Sequence, residues 1–78
     1  MAEQVPEVGR VLMLIERQDW SRLRERLAPD VQWSTAIEEH FHGPEQVIAH
    51  LRSGFVPGPP AYHELRDGLL VRWIDKAG

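Results

Sequence analysis

The chain contains no cysteine, which excludes disulfide scaffolds, thiolate zinc centres and cysteine nucleophiles together. It has no apolar run approaching the ~20 residues that cross a bilayer as a helix, so no membrane partner is expected. The amino terminus, Met1-Ala2-Glu3-Gln4, is acidic and lacks the basic-then-apolar order of a secretory signal; a cytoplasmic protein is expected. Positive charge is also short, with 9 Lys and Arg against 12 Asp and Glu and a net charge of −3. Arg22, Arg24 and Arg26 cluster, but Asp19, Glu25 and Asp30 surround them. That mixture is the pattern of a solvated, ion-paired helix face, not the one-signed surface that binds nucleic acid. A glycine-rich phosphate loop, a nucleophile elbow and a paired-histidine metalloprotease motif are all missing. Phosphoryl transfer and serine-hydrolase chemistry therefore have no support, and no cofactor is implied.

What remains is a soluble, globular composition, 42 % hydrophobic and 27 % charged over 78 residues. That length allows one domain, 1–78. A domain so short hides only about 60 % of its unfolded surface, so a second copy would stabilise it and a homodimer is expected. Val5, Val8, Val11, Leu12 and Ile15 recur at spacings of three and four, the period of one helical face, with Pro6 in the first turn. Asp19 offers a capping oxygen to a second, shorter helix with Trp20, Leu23 and Leu27 inward, ended by Pro29-Asp30. From Val31 to Ile37 the pattern alternates and predicts a strand with Val31, Trp33, Thr35 and Ile37 on one face. A turn and short return strand over 38–42 lead to Gly43-Pro44, which opens a third helix with Val47, Ile48, Leu51 and Phe55 inward and Gly54 as its cap. Pro57-Gly58-Pro59-Pro60 then forms a stiff connector, since three of its four residues lack a backbone donor.

The sharpest local signal is Asp67-Gly68 between two strand-like runs, 61–66 and 69–75. This dipeptide takes the positive φ angles of a two-residue hairpin turn. A regular ribbon then sets Leu65 opposite Leu70, His63 opposite Arg72 and Ala61 opposite Ile74. On its other side Tyr62 meets Trp73, Glu64 meets Val71 and Arg66 meets Leu69.

Four phrases along the chain resemble one superfamily. Gln18-Asp19-Trp20-Ser21-Arg22-Leu23 resembles the start of the second helix of nuclear transport factor 2-like domains, and Leu27-Ala28-Pro29-Asp30-Val31-Gln32-Trp33 the approach to their first strand. Phe41-His42-Gly43-Pro44-Glu45-Gln46-Val47 is similar to the start of their third helix. The run from Glu64 to Asp75 resembles the closing hairpin of SnoaL-like polyketide cyclases and limonene epoxide hydrolase relatives. The resemblance implies an α+β fold in which three helices pack on a curved, cone-like antiparallel sheet of the cystatin-like kind. It also implies an apolar pocket beneath the sheet and dimerisation through it. The chain departs from the pattern by leaving only 56–60 where family members place two further long strands, so it reads as a shortened variant.

That departure governs the chemistry. In the hydrolase relatives a catalytic carboxylate follows the tryptophan of the closing strand by five residues; here that position is Gly78. Asp75 shares the parity of Trp73, which in regular geometry turns it away from His63 and Arg72. His63 beside Arg72 is the best polar site: a neighbouring guanidinium disfavours imidazolium, and neutral imidazole serves as a base. Glu64, among Tyr62, Val71 and Trp73, is the candidate acid. Trp33, Tyr62, Leu65, Leu70 and Trp73 are the candidate ligand-binding residues. His40 and His42 make only a two-imidazole pair, below the three or four ligands of a zinc site, so no metal is expected. The leading expectation is a non-catalytic dimeric module that binds a small apolar molecule or self-associates through its sheet. The alternative is a cyclase, ketosteroid isomerase or epoxide hydrolase type of enzyme, with His63 as base, Arg72 as electrostatic stabiliser and Glu64 or Asp75 as acid.

Overall fold

The computed structural model describes residues 6–54 and 57–76; the expectations placed on Val5, Phe55, Val56 and Gly78 lie outside them. Among the described residues, three helices and four strands follow in the order α1 (Pro6–Glu16), α2 (Trp20–Glu25), β1 (Leu27–Ser34), β2 (His40–His42), α3 (Gly43–Arg52), β3 (Pro60–Arg66) and β4 (Leu69–Asp75). The apolar period of α1 is realised, with Val11, Leu14 and Ile15 buried and Val8 and Leu12 packed against them. Asp19 caps α2 by accepting from the Arg22 amide at 3.4 Å.

The second helix ends earlier than its apolar period suggested. Leu27 belongs to β1 instead, because sheet pairing takes over at Arg26, whose carbonyl accepts from the Leu70 amide at 2.8 Å, and Leu27 lies opposite Leu70. The same strand stops at Ser34. Thr35 and Glu38 close a turn (Glu38 N to Thr35 O, 3.0 Å), and Ile37, expected inward, is 77 % exposed.

The sheet runs β2-β1-β4-β3, antiparallel at both outer pairs and parallel at the central β1/β4 pair. The expected sheet was antiparallel throughout; the parallel pair arises because α3 carries the chain back across the sheet before the closing hairpin. Helix α3 buries Val47, Ile48 and Leu51 against the sheet, and Gly54, with φ of +109°, follows its Ser53 cap. The stiff connector also holds a strand start: Pro60 opens the edge strand β3, where a missing donor costs no central ladder bond.

The Asp67-Gly68 turn forms as expected, with φ of 54° and 79°. Leu65 faces Leu70 and Arg66 faces Leu69. Beyond them Val71 is an extra residue in β4, and the register shifts: Glu64 faces Arg72, His63 faces Trp73 and Tyr62 faces Ile74. The bulge lets Leu70 and Trp73, three residues apart, both reach the core, at 1 % and 0 % exposure; strict alternation would have put them on opposite faces. The row Phe41, Trp33, Trp73, His63 therefore crosses all four strands on the inner face. Its centre is a stack of Trp33 on Trp73, ring centroids 4.6 Å apart and planes 9° from parallel, worth about 0.5–1.5 kcal/mol beyond the area it buries.

Candidate functional site

The bulge that seats Trp73 also separates the residues expected to act together. His63 stands half-buried on the inner face opposite Trp73, whereas Glu64 and Arg72 face each other on the outer face. Arg72 is therefore not the cross-strand neighbour of His63; it reaches Gln32 Oε1 at 3.4 Å. Tyr62 is also on the outer face, 47 % exposed, and its hydroxyl donates to Glu64 Oε1 at 3.0 Å. That bond, and the carboxylate charge behind it, raise the Tyr62 hydroxyl above its ordinary pKa. The expected ligand-binding set is split likewise. Trp33, Trp73 and Leu70 are sealed in the core, Leu65 packs against it, and Tyr62 lies on the other side of the sheet.

A different group of residues surrounds open space. Where β1 and β4 end side by side, a half-open cavity of about 550 Å³ is lined by Thr35, Ala36, Ile37, Glu39, His50, the Pro57-Gly58-Pro59 connector, Asp75 and Lys76. That volume lies within the ~300–1,000 Å³ of small-molecule sites. His63 is not part of this lining.

Three polar groups at the cavity, Thr35, His50 and Asp75, are held by local structure. Thr35 receives the Glu39 amide on Oγ1 at 3.1 Å, while its own amide donates to the Glu39 carbonyl at 2.9 Å. Its hydroxyl hydrogen remains available to donate elsewhere. His50 projects from the last turn of α3 and stacks on Phe41, centroids 4.3 Å apart. Asp75 is 8 % exposed, and its Oδ1 accepts from Trp73 Nε1 at 2.8 Å. This i, i+2 pairing on one strand face fits the shared parity read from the sequence. Among the described residues, Asp75 Oδ2 and Trp33 Nε1 are buried without a hydrogen-bond partner. A buried polar atom left so costs about 1–3 kcal/mol, and a bound molecule that meets it recovers that cost.

Asp75 and Thr35 were legible in part: the alternation over 31–37 put Thr35 on the face of Val31 and Trp33, and Asp75 shared the parity of Trp73. Glu39, His50, Lys76 and the connector as a wall were not. Their one sequence signal was the rigidity of Pro57-Gly58-Pro59, which says that this segment holds its shape but not what it stands beside. Among the described residues, no three side chains of metal-ligand type gather into a site.

Comparison with solved structures places the fold. A nuclear transport factor 2-like protein of unknown function from Cytophaga hutchinsonii superposes with a TM-score of 0.69 at 11 % identity, covering 95 % of this chain and 91 % of its own. A second such protein of unknown function, from Burkholderia pseudomallei, gives 0.68 at 16 % identity, with 100 % and 92 % covered. No family model matches the chain, and no curated protein does so significantly. The fold is thus that of nuclear transport factor 2-like proteins, and at this identity the likeness carries the fold alone. Both neighbours are covered over nine-tenths of their length, so the fold occurs in domains of about this size.

Proposed function

We propose that this chain is a non-catalytic, dimeric binding domain that takes a small, mainly apolar molecule carrying a hydroxyl into the cavity at the β1/β4 end. The observation that carries the reading is Asp75, a residue of the cavity wall whose buried carboxylate has one oxygen fixed by Trp73 and the other without a partner among the described residues. Asp75 supplies an acceptor and the Thr35 hydroxyl a donor, so an alcohol or phenol suits both. Ala36, Ile37 and the prolines suit the rest of the molecule. The second copy docks on the outer sheet face, where half-buried Ile74 and exposed Tyr62 lie beside a Glu64, Arg72, Gln32, His42 row. The facing opposite charges of Glu64 and Arg72 can pair with the same residues of a copy related by a two-fold axis.

The test is a titration with 1-naphthol followed by tryptophan fluorescence. Saturable quenching is expected, weakened about tenfold by Asp75→Asn and less by Thr35→Val. Asparagine keeps an acceptor for the Trp73 indole, so the variant retains the fold. Unsaturable quenching, or equal affinity in Asp75→Asn, would overturn the assignment.

One observation favours the enzymatic alternative: Asp75, Glu39 and His50 are three titratable groups on one cavity. In that case Asp75, not His63, carries proton transfer. Turnover of an epoxide or of a β,γ-unsaturated ketone that vanishes in Asp75→Asn would replace the non-catalytic reading.

A further inference from the structure

A second cleft lies between the two amino-terminal helices, away from the cavity just described. It encloses about 390 Å³ and is lined by Arg10, Met13 and Leu14 of α1 and by Arg22 and Glu25 of α2 together with its cap Arg26. Both triplets have the spacing i, i+3, i+4, so each is one helix face turned toward the other. Three guanidinium groups and one carboxylate line this cleft, and Asp19, paired with Arg22, brings a second carboxylate to its edge, so its local charge is near +1 in a chain whose net charge is −3.

The arginines of this region were expected to be ion-paired, and only some are. Arg24 reaches Glu45 at 3.9 Å, outside the cleft, and Arg22 meets Asp19 at 3.7 Å. Among the described residues, Arg10, Arg26 and Glu25 make no ion pair. Arg26 is also well anchored: its amide caps α2 and its carbonyl accepts from Leu70 of the sheet at 2.8 Å. Met13 is 42 % exposed beside buried Leu14, which adds an apolar surface to a cationic one.

We propose that this cleft binds a phosphomonoester carrying a short apolar group. Planar guanidinium forks match phosphate oxygens in pairs, and a phosphomonoester bears about −1.5 to −2 charge near neutral pH, enough to engage Arg10 and Arg26 together, neither of which makes an ion pair among the described residues. A carboxylate brings half that charge. The apolar group lies on Met13 and Leu14. The inference is independent of the function proposed for the β1/β4 cavity, with which it shares no residue.

Phenyl phosphate titrated into the full chain, followed by the Met13 methyl and arginine side-chain NMR signals, tests it. Saturable shifts are expected, with inorganic phosphate and benzoate both binding more weakly. Arg10→Gln and Arg26→Gln each weaken phenyl phosphate about tenfold, Glu25→Gln tightens it several-fold, and Arg24→Gln leaves it unchanged. Arg10 is exposed on α1, so its variant keeps the fold whatever Arg26→Gln does. Shifts that do not saturate, benzoate binding as tightly as phenyl phosphate, or an equal loss in Arg24→Gln would each overturn the proposal.

Discussion

Asp75 sits at the meeting point of packing and chemistry. Its Oδ1 is bound by the Trp73 indole while its Oδ2 is not bound within the described protein. Removing the indole N–H leaves a buried carboxylate with neither oxygen satisfied, which costs about 1–3 kcal/mol. Trp73→Phe, which keeps an aromatic ring against Trp33, is expected to lose that much in chemical denaturation. The Asp30–Arg66 pair acts differently, at the surface. The Arg66 guanidinium, 2.8 Å from Oδ1, holds the Asp30 carboxyl below its ordinary pKa. A depressed folded-state pKa stabilises the native state above the ordinary carboxylate value, and that contribution is lost as pH falls through the folded value. The melting temperature of Asp30→Asn should therefore lie below that of the wild type at neutral pH and converge with it in acid. Because both side chains are exposed, the gap should also shrink in high salt.

At the level of elements, two glycines with opposite roles separate helix propensity from turn geometry. Gly9 is inside α1 and exposed, and beyond the backbone of its own helix nothing lies within 4 Å of where a Cβ would stand. Gly9→Ala should stabilise the chain by up to about 1 kcal/mol, since alanine restricts the unfolded state and favours helix. Gly68 holds φ of +79° in the hairpin turn. Gly68→Ala should cost about 1–2 kcal/mol for the same added methyl group. Thermal melts of both variants check the sign in each case. The hairpin also shows where local reading stops. Asp67-Gly68 specifies the turn and the two pairs beside it, but no signal in Leu69-Leu70-Val71-Arg72 announces the bulge. The bulge arises because Trp73 must reach the stack with Trp33 on a neighbouring strand, a contact 40 residues away in sequence.

For the molecule as a whole, the core is small, a cluster of 12 buried hydrophobic residues among those described, and the proposed dimer would stabilise it by mass action. The melting temperature should then rise with protein concentration, and Ile74→Glu, on the outer face, should abolish that rise and give a monomer in analytical ultracentrifugation. A concentration-independent melt with a monomeric wild type would dismiss the dimer. Among the described residues no helix is long and apolar enough to cross a membrane. The sequence by itself determined the parts that depend on neighbours in the chain: the apolar period of α1, the Asp19 cap, the Gly43-Pro44 helix start, the hairpin turn and the inward parity of Val31, Trp33 and Thr35. These features are legible because propensity, capping and turn strain act over a few residues. Only the tertiary structure decided the parallel β1/β4 pair, the bulge at Val71 and hence the separation of His63 from Arg72. It also decided that Thr35, Glu39, His50 and Asp75 would share one cavity. Those outcomes come from burying two indoles together across the sheet, a gain in packing between distant segments that no local pattern encodes.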